Sequence, residues 1–196
     1  MNNYGEEWAY WYLRLNGFFP LANFVVHKDK LVTHRADVDL LAIRPPHVYE
    51  EIGGQHDDWD PALREALDLS RTLALICEVK TGHIEEEKLF RDEIVDRAVK
   101  RLGLVSISEI GRVADALRDS PAVTVESVTF AKVLFSQKEH KHGHYLNFAE
   151  SHVETFVEAR IQRYSPEKYN SRLFFPSHLF QDVVRRVHRE RGGNSS

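Results

Sequence analysis

Four side chains in two short segments could do chemistry together. In Ala36-Asp-Val-Asp-Leu-Leu-Ala-Ile43 and in Arg71-Thr-Leu-Ala-Leu-Ile-Cys-Glu-Val-Lys80, charged residues interrupt runs that otherwise read as β-strands. A strand turns alternate side chains to one face, so Asp37 and Asp39 point the same way, and so do Glu78 and Lys80. If the two strands are neighbours, three carboxylates and an ammonium meet at one end of a sheet. Carboxylates set among Val, Leu, Ile and Ala are expensive to bury unless something neutralises them. A hard divalent cation on oxygen ligands would do so, and the lysine could then orient or activate a water. The plainer alternative is that Asp39 and Glu78 lie near strand ends, solvated or paired with Lys80 or an arginine.

The elements that must position these residues follow from periodicity. Trp8, Trp11, Tyr12 and Leu15 recur at helical spacing in a segment ended by Asn16-Gly17, and Glu6, Ala9 and Leu13 share another face of the same helix. Strands are expected over Leu21 to His27, Ala36 to Ile43 and Arg71 to Lys80. The second is closed by Arg44-Pro45-Pro46 and, being apolar on both faces, is expected to be covered on both sides. Ile84 to Leu102 reads as one amphipathic helix with Ile94, Val95, Ala98, Val99 and Leu102 inward. Ser106-Ile-Ser-Glu109 matches a capping box opening a helix that stops at Ser120-Pro121. A further strand or two lie within Val123 to Ser136, with a hairpin leading to Tyr145 to Asn147. Helical stripes then recur at Val153, Phe156, Val157, Arg160, Ile161 and Tyr164, and at Leu179, Phe180, Val183, Val184 and Val187. This order predicts an α/β sheet with helices on both faces.

Composition bounds the rest. At 196 residues, 42% hydrophobic and 29% charged, the chain is expected to be a single domain over 1–196. A net charge of −4 gives no global signature of a nucleic-acid binder. Residues 47–70 look like an acidic insertion, and between Glu50 and Asp68 the local charge is −6, which leaves +2 for everything else. Trp59 is the hydrophobic anchor expected of that insertion. The single cysteine, Cys77, excludes a disulfide framework and a multi-cysteine zinc module, and its apolar run makes it a buried, inert thiol. No apolar stretch is long enough to span a bilayer, and the first residues lack the pattern of a signal peptide, so a cytoplasmic protein without membrane partners is expected.

Gly5-Glu6-x-x-Ala9-x-x-x-Leu13-x-x-x-Gly17-Phe18, Ala36-Asp-Val-Asp39-Leu-Leu-Ala-Ile43 and Cys77-Glu78-Val79-Lys80, in that order, resemble the PD-(D/E)xK restriction-endonuclease-like nucleases, especially the Holliday-junction-resolvase and Mrr-like branches. The resemblance covers about residues 5–102. It implies a mixed central sheet flanked by helices on an α-β-β-β-α-β core, here with additional C-terminal helices, and Mg²⁺-dependent hydrolysis of DNA, with Mn²⁺ as a substitute. It further implies that Asp39 and Glu78 ligate the metal together with the carbonyl of Val79, and that Lys80 is the catalytic lysine. Glu6 would be the acidic residue of the first helix that helps position the metal or its water. It is preferred to Glu7 because it shares a face with Ala9 and Leu13. Asp37 is assigned to the surroundings of the site rather than to the ligand set. The 39-residue separation of Asp39 from Glu78 departs from the compact pattern of these nucleases.

Other features compete for function. His140-x-His142-x-His144 could place imidazoles on one face for zinc or copper, although its lysines and Gly143 favour a solvated basic loop able to touch phosphate. Arg185, Arg186 and Arg189 are candidate nucleic-acid contacts or the wet face of a helix. Thr81 and His83 could reach a phosphate or simply form a turn. The alternative to a nuclease is a non-cleaving nucleic-acid-binding or interaction module that keeps the fold. With one site per chain, a symmetric homodimer is the simplest way to cut both strands of a duplex.

Overall fold

Strands rich in Leu, Ile and Val must be covered on both faces, and the chain achieves this by alternating them with amphipathic helices. The computed structural model describes residues 4–26, 36–49, 55–140, 143–164 and, near the C-terminus, 182, 183, 185–187 and 189. The elements in chain order are α1 (Tyr4–Leu15), β1 (Phe19–Val26), β2 (Ala36–Arg44), α2 (Pro61–Ala66), β3 (Thr72–Lys80), α3 (Asp92–Leu102), α4 (Ile107–Asp119), β4 (Ala122–Val125), β5 (Val128–Ser136), β6 (Leu146–Ala149) and α5 (Glu150–Arg163). They form an α/β fold on a mixed six-stranded sheet ordered β1-β2-β3-β5-β4. The first three strands are antiparallel neighbours, whereas β5 runs parallel to β3 over its whole length, from Thr72 opposite Val128 to Lys80 opposite Ser136. The far edge of β5 is shared: β4 pairs antiparallel with its first half and β6 parallel with its second half.

Two cores sandwich the sheet. Leu73, Leu75, Cys77 and Val79 of β3 face α1, α2 and α5, and Ala74 and Ile76 face α3 and α4. By the same alternation Glu78 and Lys80 continue the second face past the end of its apolar packing. Among the described residues no helix is long and apolar enough to cross a membrane.

Several local expectations are corrected. The first strand begins at Phe19 rather than Leu21. The helix drawn from Ile84 starts only at Asp92, because a 3-10 turn at Glu86–Lys88 and a left-handed Phe90 (φ 47°) interrupt it. The capping box at Ser106 does not form: the Ser106 hydroxyl meets that of Ser108, and Glu109 bonds Arg112 instead. The hairpin after Ser136 is a crossover, since β6 lies parallel to β5. In the last helix, the described positions 182, 183, 185–187 and 189 are helical, with Val183 and Val187 buried in the first core. Leu179, Phe180 and Val184 lie outside the described residues.

The described residues of the acidic insertion contribute to the core, through Trp59, Leu63 and Leu67 among others. Asp58 and Asp60 are buried. Asp60 caps α2 through Ala62 N–H (3.0 Å), accepts from the Tyr12 hydroxyl, and lies 2.7 Å from His152 Nε2. Its own N–H donates to the Asn16 side chain. Asp58 accepts from Tyr164 (2.6 Å) and pairs with Arg163 (3.0 Å), while Arg160 donates to its backbone carbonyl. Burial, and then Asp60, push the Tyr12 hydroxyl well above the usual tyrosine range, so it stays a donor. Trp59 is the expected anchor, held between the guanidinium carbons of Arg44 (4.9 Å from its ring centre) and Arg160 (5.7 Å). Its indole also explains Gly17, whose left-handed backbone (φ +82°) ends α1. A Cβ there would meet Val48 at 2.9 Å and Trp59 at 3.2 Å.

Asp58→Ala should therefore destabilise by about 3–5 kcal/mol, because it leaves buried arginine charge uncompensated. The change is read as a lowered urea midpoint, and an exposed acid of the same segment, such as Glu65→Ala, should stay within about 0.5 kcal/mol of wild type.

Candidate metal and catalytic centre

The ladder between β2 and β3 stops at Leu40 opposite Cys77. One residue further on, the Asp39 carboxylate takes the place of a backbone acceptor and receives the Val79 N–H at 2.7 Å. The strands are thereby held together through a side chain, and Asp39 is fixed at the end of β3. Glu78 is buried there, only 5% exposed, while Lys80 is about a third exposed.

The Lys80 ammonium lies 2.6 Å from Glu78 Oε2, 3.3 Å from Asp39 Oδ2 and 3.3 Å from the Val79 carbonyl oxygen. Those are the three oxygens that the resemblance assigns to a metal. Burial pushes the Glu78 carboxyl above its usual range against the pull of Lys80, and the nearby Asp39 charge adds to the rise. Burial alone would lower the Lys80 ammonium, but Glu78 and then Asp39 outweigh it and hold it above its ordinary value. Arg91, a residue the sequence reading did not single out, contributes a further positive charge felt by Glu78.

Whether a divalent ion suits this arrangement is decided by the donor set. Among the described residues no group of three or more Asp, Glu, His or Cys side chains is gathered as a metal cage. Two carboxylates and a carbonyl do converge on one point, and a cation of the protein's own already sits at it. Hard oxygens in this number fit Mg²⁺, which binds through one or two carboxylates and completes its shell with water and phosphate oxygens.

Glu6 is also buried, on the first turn of α1, next to Gly5 that lines the same cleft as Lys80. The close cluster as folded is Asp39, Glu78 and Lys80. The Asp37 side chain lies outside the described residues. Cys77 is fully buried and its thiol is pushed well above the usual range, by burial first and then by Asp39 and Glu78, so it is no nucleophile. In the histidine motif, His142 lies outside the described residues, while the His140 N–H is bonded to the Asn147 side chain at 2.7 Å. The arginine patch is partly spent on intramolecular pairs: Arg185 meets Asp182 at 3.2 Å and Arg186 meets Glu158 at 2.5 Å. Arg189 is exposed. No family model matches the chain, and no curated protein or solved structure matches it either.

Because ammonium and ion would use the same oxygens, they compete. Lys80→Met should lower stability without metal by about 1–3 kcal/mol, less than for a fully buried pair because the lysine is partly solvated. Added Mn²⁺ should then raise the melting temperature of Lys80→Met by more than it raises that of wild type, and should leave Asp39→Asn unmoved. Equal Mn²⁺ shifts in wild type and Lys80→Met would show that ion and ammonium do not share a site.

Proposed function

We propose that the protein is a metal-dependent nuclease that hydrolyses DNA phosphodiester bonds, built on a restriction-endonuclease-like core of α1, β1, β2, β3, α3 and β5. The observation that carries this reading is the convergence of Asp39, Glu78 and the Val79 carbonyl on a single cation position occupied by Lys80. A purely structural ion pair needs one acid for one base. Here two acids and a main-chain oxygen surround one ammonium at the open end of a sheet, which is an arrangement suited to a higher charge.

Asp39, Glu78 and the Val79 carbonyl would hold Mg²⁺ or Mn²⁺. When bound, the ion supplies charge stabilisation at the scissile phosphate and a more acidic water. The protein's own groups do the remainder. Lys80, released from its carboxylates, has three donors and a half-open position from which to orient the attacking water and meet the charge developing on the phosphate. Glu6, at the first turn of α1, would take part in ordering that water. The N–H of Val79 keeps Asp39 aimed at the site throughout. Outside the acidic segment from Glu50 to Asp68 the chain carries +2, so a polyanion can approach despite the overall acidity. A cytoplasmic protein with its one thiol reduced, and a homodimer when both strands are cut, belong to the same proposal.

Supercoiled plasmid, a four-way junction and single-stranded DNA, each incubated with Mg²⁺ or Mn²⁺, test it. Wild type should cut at least one. Lys80→Met should lose about a hundredfold or more of the rate while still binding Mn²⁺. Asp39→Asn should lose cleavage and Mn²⁺ binding together. DNA binding without any cleavage would instead favour the non-cleaving module. Cleavage unchanged in Lys80→Met would place the activity elsewhere.

A further inference from the structure

Glu78 and Lys80 lie on the sheet face that α3 and α4 cover, and the segment from Lys80 to α3 brings one more cation back to that face. Leu89 and Phe90, just before Arg91, and Ile94 and Val95, just after it, are buried in one core with Val38, the neighbour of Asp39, and Ile76, which precedes Glu78 on the same face of β3. Phe90 holds a left-handed backbone (φ 47°) that side chains rarely adopt, its ring 5.7 Å from that of Tyr145 and 5.8 Å from the Lys132 ammonium. On the other side, the Arg91 carbonyl accepts the Ile94 and Val95 N–H groups at 2.8 and 3.0 Å and so opens α3. The main chain of Arg91 is thus fixed from both directions. Its side chain is exposed and, among the described residues, has no hydrogen bond or ion pair. The adjacent acid, Asp92, pairs instead with Arg118 of α4 at 3.0 Å. The buried Glu78 nevertheless feels the Arg91 charge.

An exposed guanidinium without a partner contributes little to stability, and both acids already have Lys80. The charge balance of the centre suggests another use. Asp39 and Glu78 are matched by Lys80 and Arg91, so a divalent ion on the two acids leaves an excess of two positive charges. A phosphodiester brings one negative charge and two non-bridging oxygens, which match the planar fork of a guanidinium. We propose that Arg91 holds a backbone phosphate of DNA at the candidate centre, gripping its non-bridging oxygens while the ion occupies Asp39 and Glu78. This rests on the nuclease reading and adds to that site a side chain that binds the substrate. The contact is to phosphate, so Arg91 contributes affinity and register and no preference for a base. The α3 N-terminus itself is no rival anion site, because Asp92 and Glu93 place two carboxylates in its first turn.

The test uses the full chain with labelled single-stranded and duplex oligonucleotides, binding being read in Ca²⁺ and cleavage in Mn²⁺. Arg91→Ala should weaken binding several-fold at low salt and flatten the slope of log K against log salt by about one. Its cleavage rate should fall about tenfold while its Mn²⁺ melting shift stays at the wild-type value. Lys100→Ala, which removes the same charge from the exposed last turn of α3, should change neither slope nor rate. Arg91→Lys, keeping the charge without the fork, should recover the slope and only part of the rate. A methylphosphonate placed at each position in turn removes the charge from the other side. At the phosphate that Arg91 holds, it should slow wild type and leave Arg91→Ala unaffected. Arg91→Gln repeats the series if Arg91→Ala fails to fold. Wild-type slope, rate and methylphosphonate profile in Arg91→Ala, with Asp39→Asn inactive, would overturn the phosphate contact and leave the nuclease reading standing. A larger Mn²⁺ shift with an unchanged slope would also overturn it, assigning Arg91 to Glu78 alone. If nothing is cut, the nuclease reading fails and binding decides the contact. A slope lowered by Arg91→Ala and not by Lys100→Ala would support it, and equal slopes or no binding would overturn it.

Discussion

Two carboxylates cannot stand side by side at the end of an apolar sheet without a cation between them, and the candidate centre is organised around that constraint. Asp39 and Glu78 approach each other because β2 and β3 are hydrogen-bonded up to Leu40 and Cys77, and because the Asp39 side chain then replaces the next backbone acceptor. Bringing the acids together is costly in proportion to burial, and Glu78 is deeply buried. Lys80, two residues along the same strand and on the same face, offsets the cost from within. The cluster is thus stable as it stands, yet holds more negative than positive charge around its central point.

A second set of buried acids shows how the same requirement is met without any functional opening. Asp58 and Asp60 are as deeply buried as Glu78, but their oxygens are committed to Tyr164, Arg163, Tyr12, His152 and the N–H groups of Gln55 and Ala62. Acceptors and donors come from α1, the segment before α2, α5 and the turn after it, so these interactions lock the insertion to the helices on one face of the sheet. Neutralisation here is distributed over several elements and serves packing. At β3 it is concentrated on the one ammonium of Lys80, a residue that also borders a cleft.

The difference explains what could be read in the sequence. Strand alternation placed Glu78 with Lys80, because period-two patterning is a local property, whereas the adjacency of the strands that carry Asp39 and Glu78 stood only as a condition, which the β2–β3 pairing meets. The acidic run from Glu50 to Asp68 read only as an insertion anchored by Trp59, because the partners of its buried acids, Tyr12, His152, Arg160 and Arg163, lie tens of residues away and carry no local mark. Arg160 stood in a helical apolar stripe, which was the one available sign that a charge there would be buried. The break at Phe90 was hidden because Ile84 and Leu89 keep a helical rhythm through a 3-10 turn. The parallel course of β6 was hidden for a related reason: a short basic loop between two strands suggests a hairpin, and only the register along β5 determines otherwise.

That parallel course matters for where chemistry can occur. β3 and β5 run in the same direction, so both release their chains at one end of the sheet, and Lys80 stands opposite Ser136 at that end. In open α/β sheets the carboxyl ends of parallel strands leave a crevice that antiparallel neighbours would close with turns. β6, also parallel to β5, pairs only with its last half and so carries Phe148 to the same crevice. The antiparallel β1-β2-β3 meander contributes the opposite element, a strand whose first residues, Ala36 to Val38, stay paired with β1 beyond the end of the β2–β3 ladder and so carry Asp39 to that end of the sheet. Acid, base, aromatic walls and basic crossover therefore come together where the two kinds of pairing meet, on β3. A sheet that was wholly antiparallel or wholly parallel could supply one half of this arrangement but not the other.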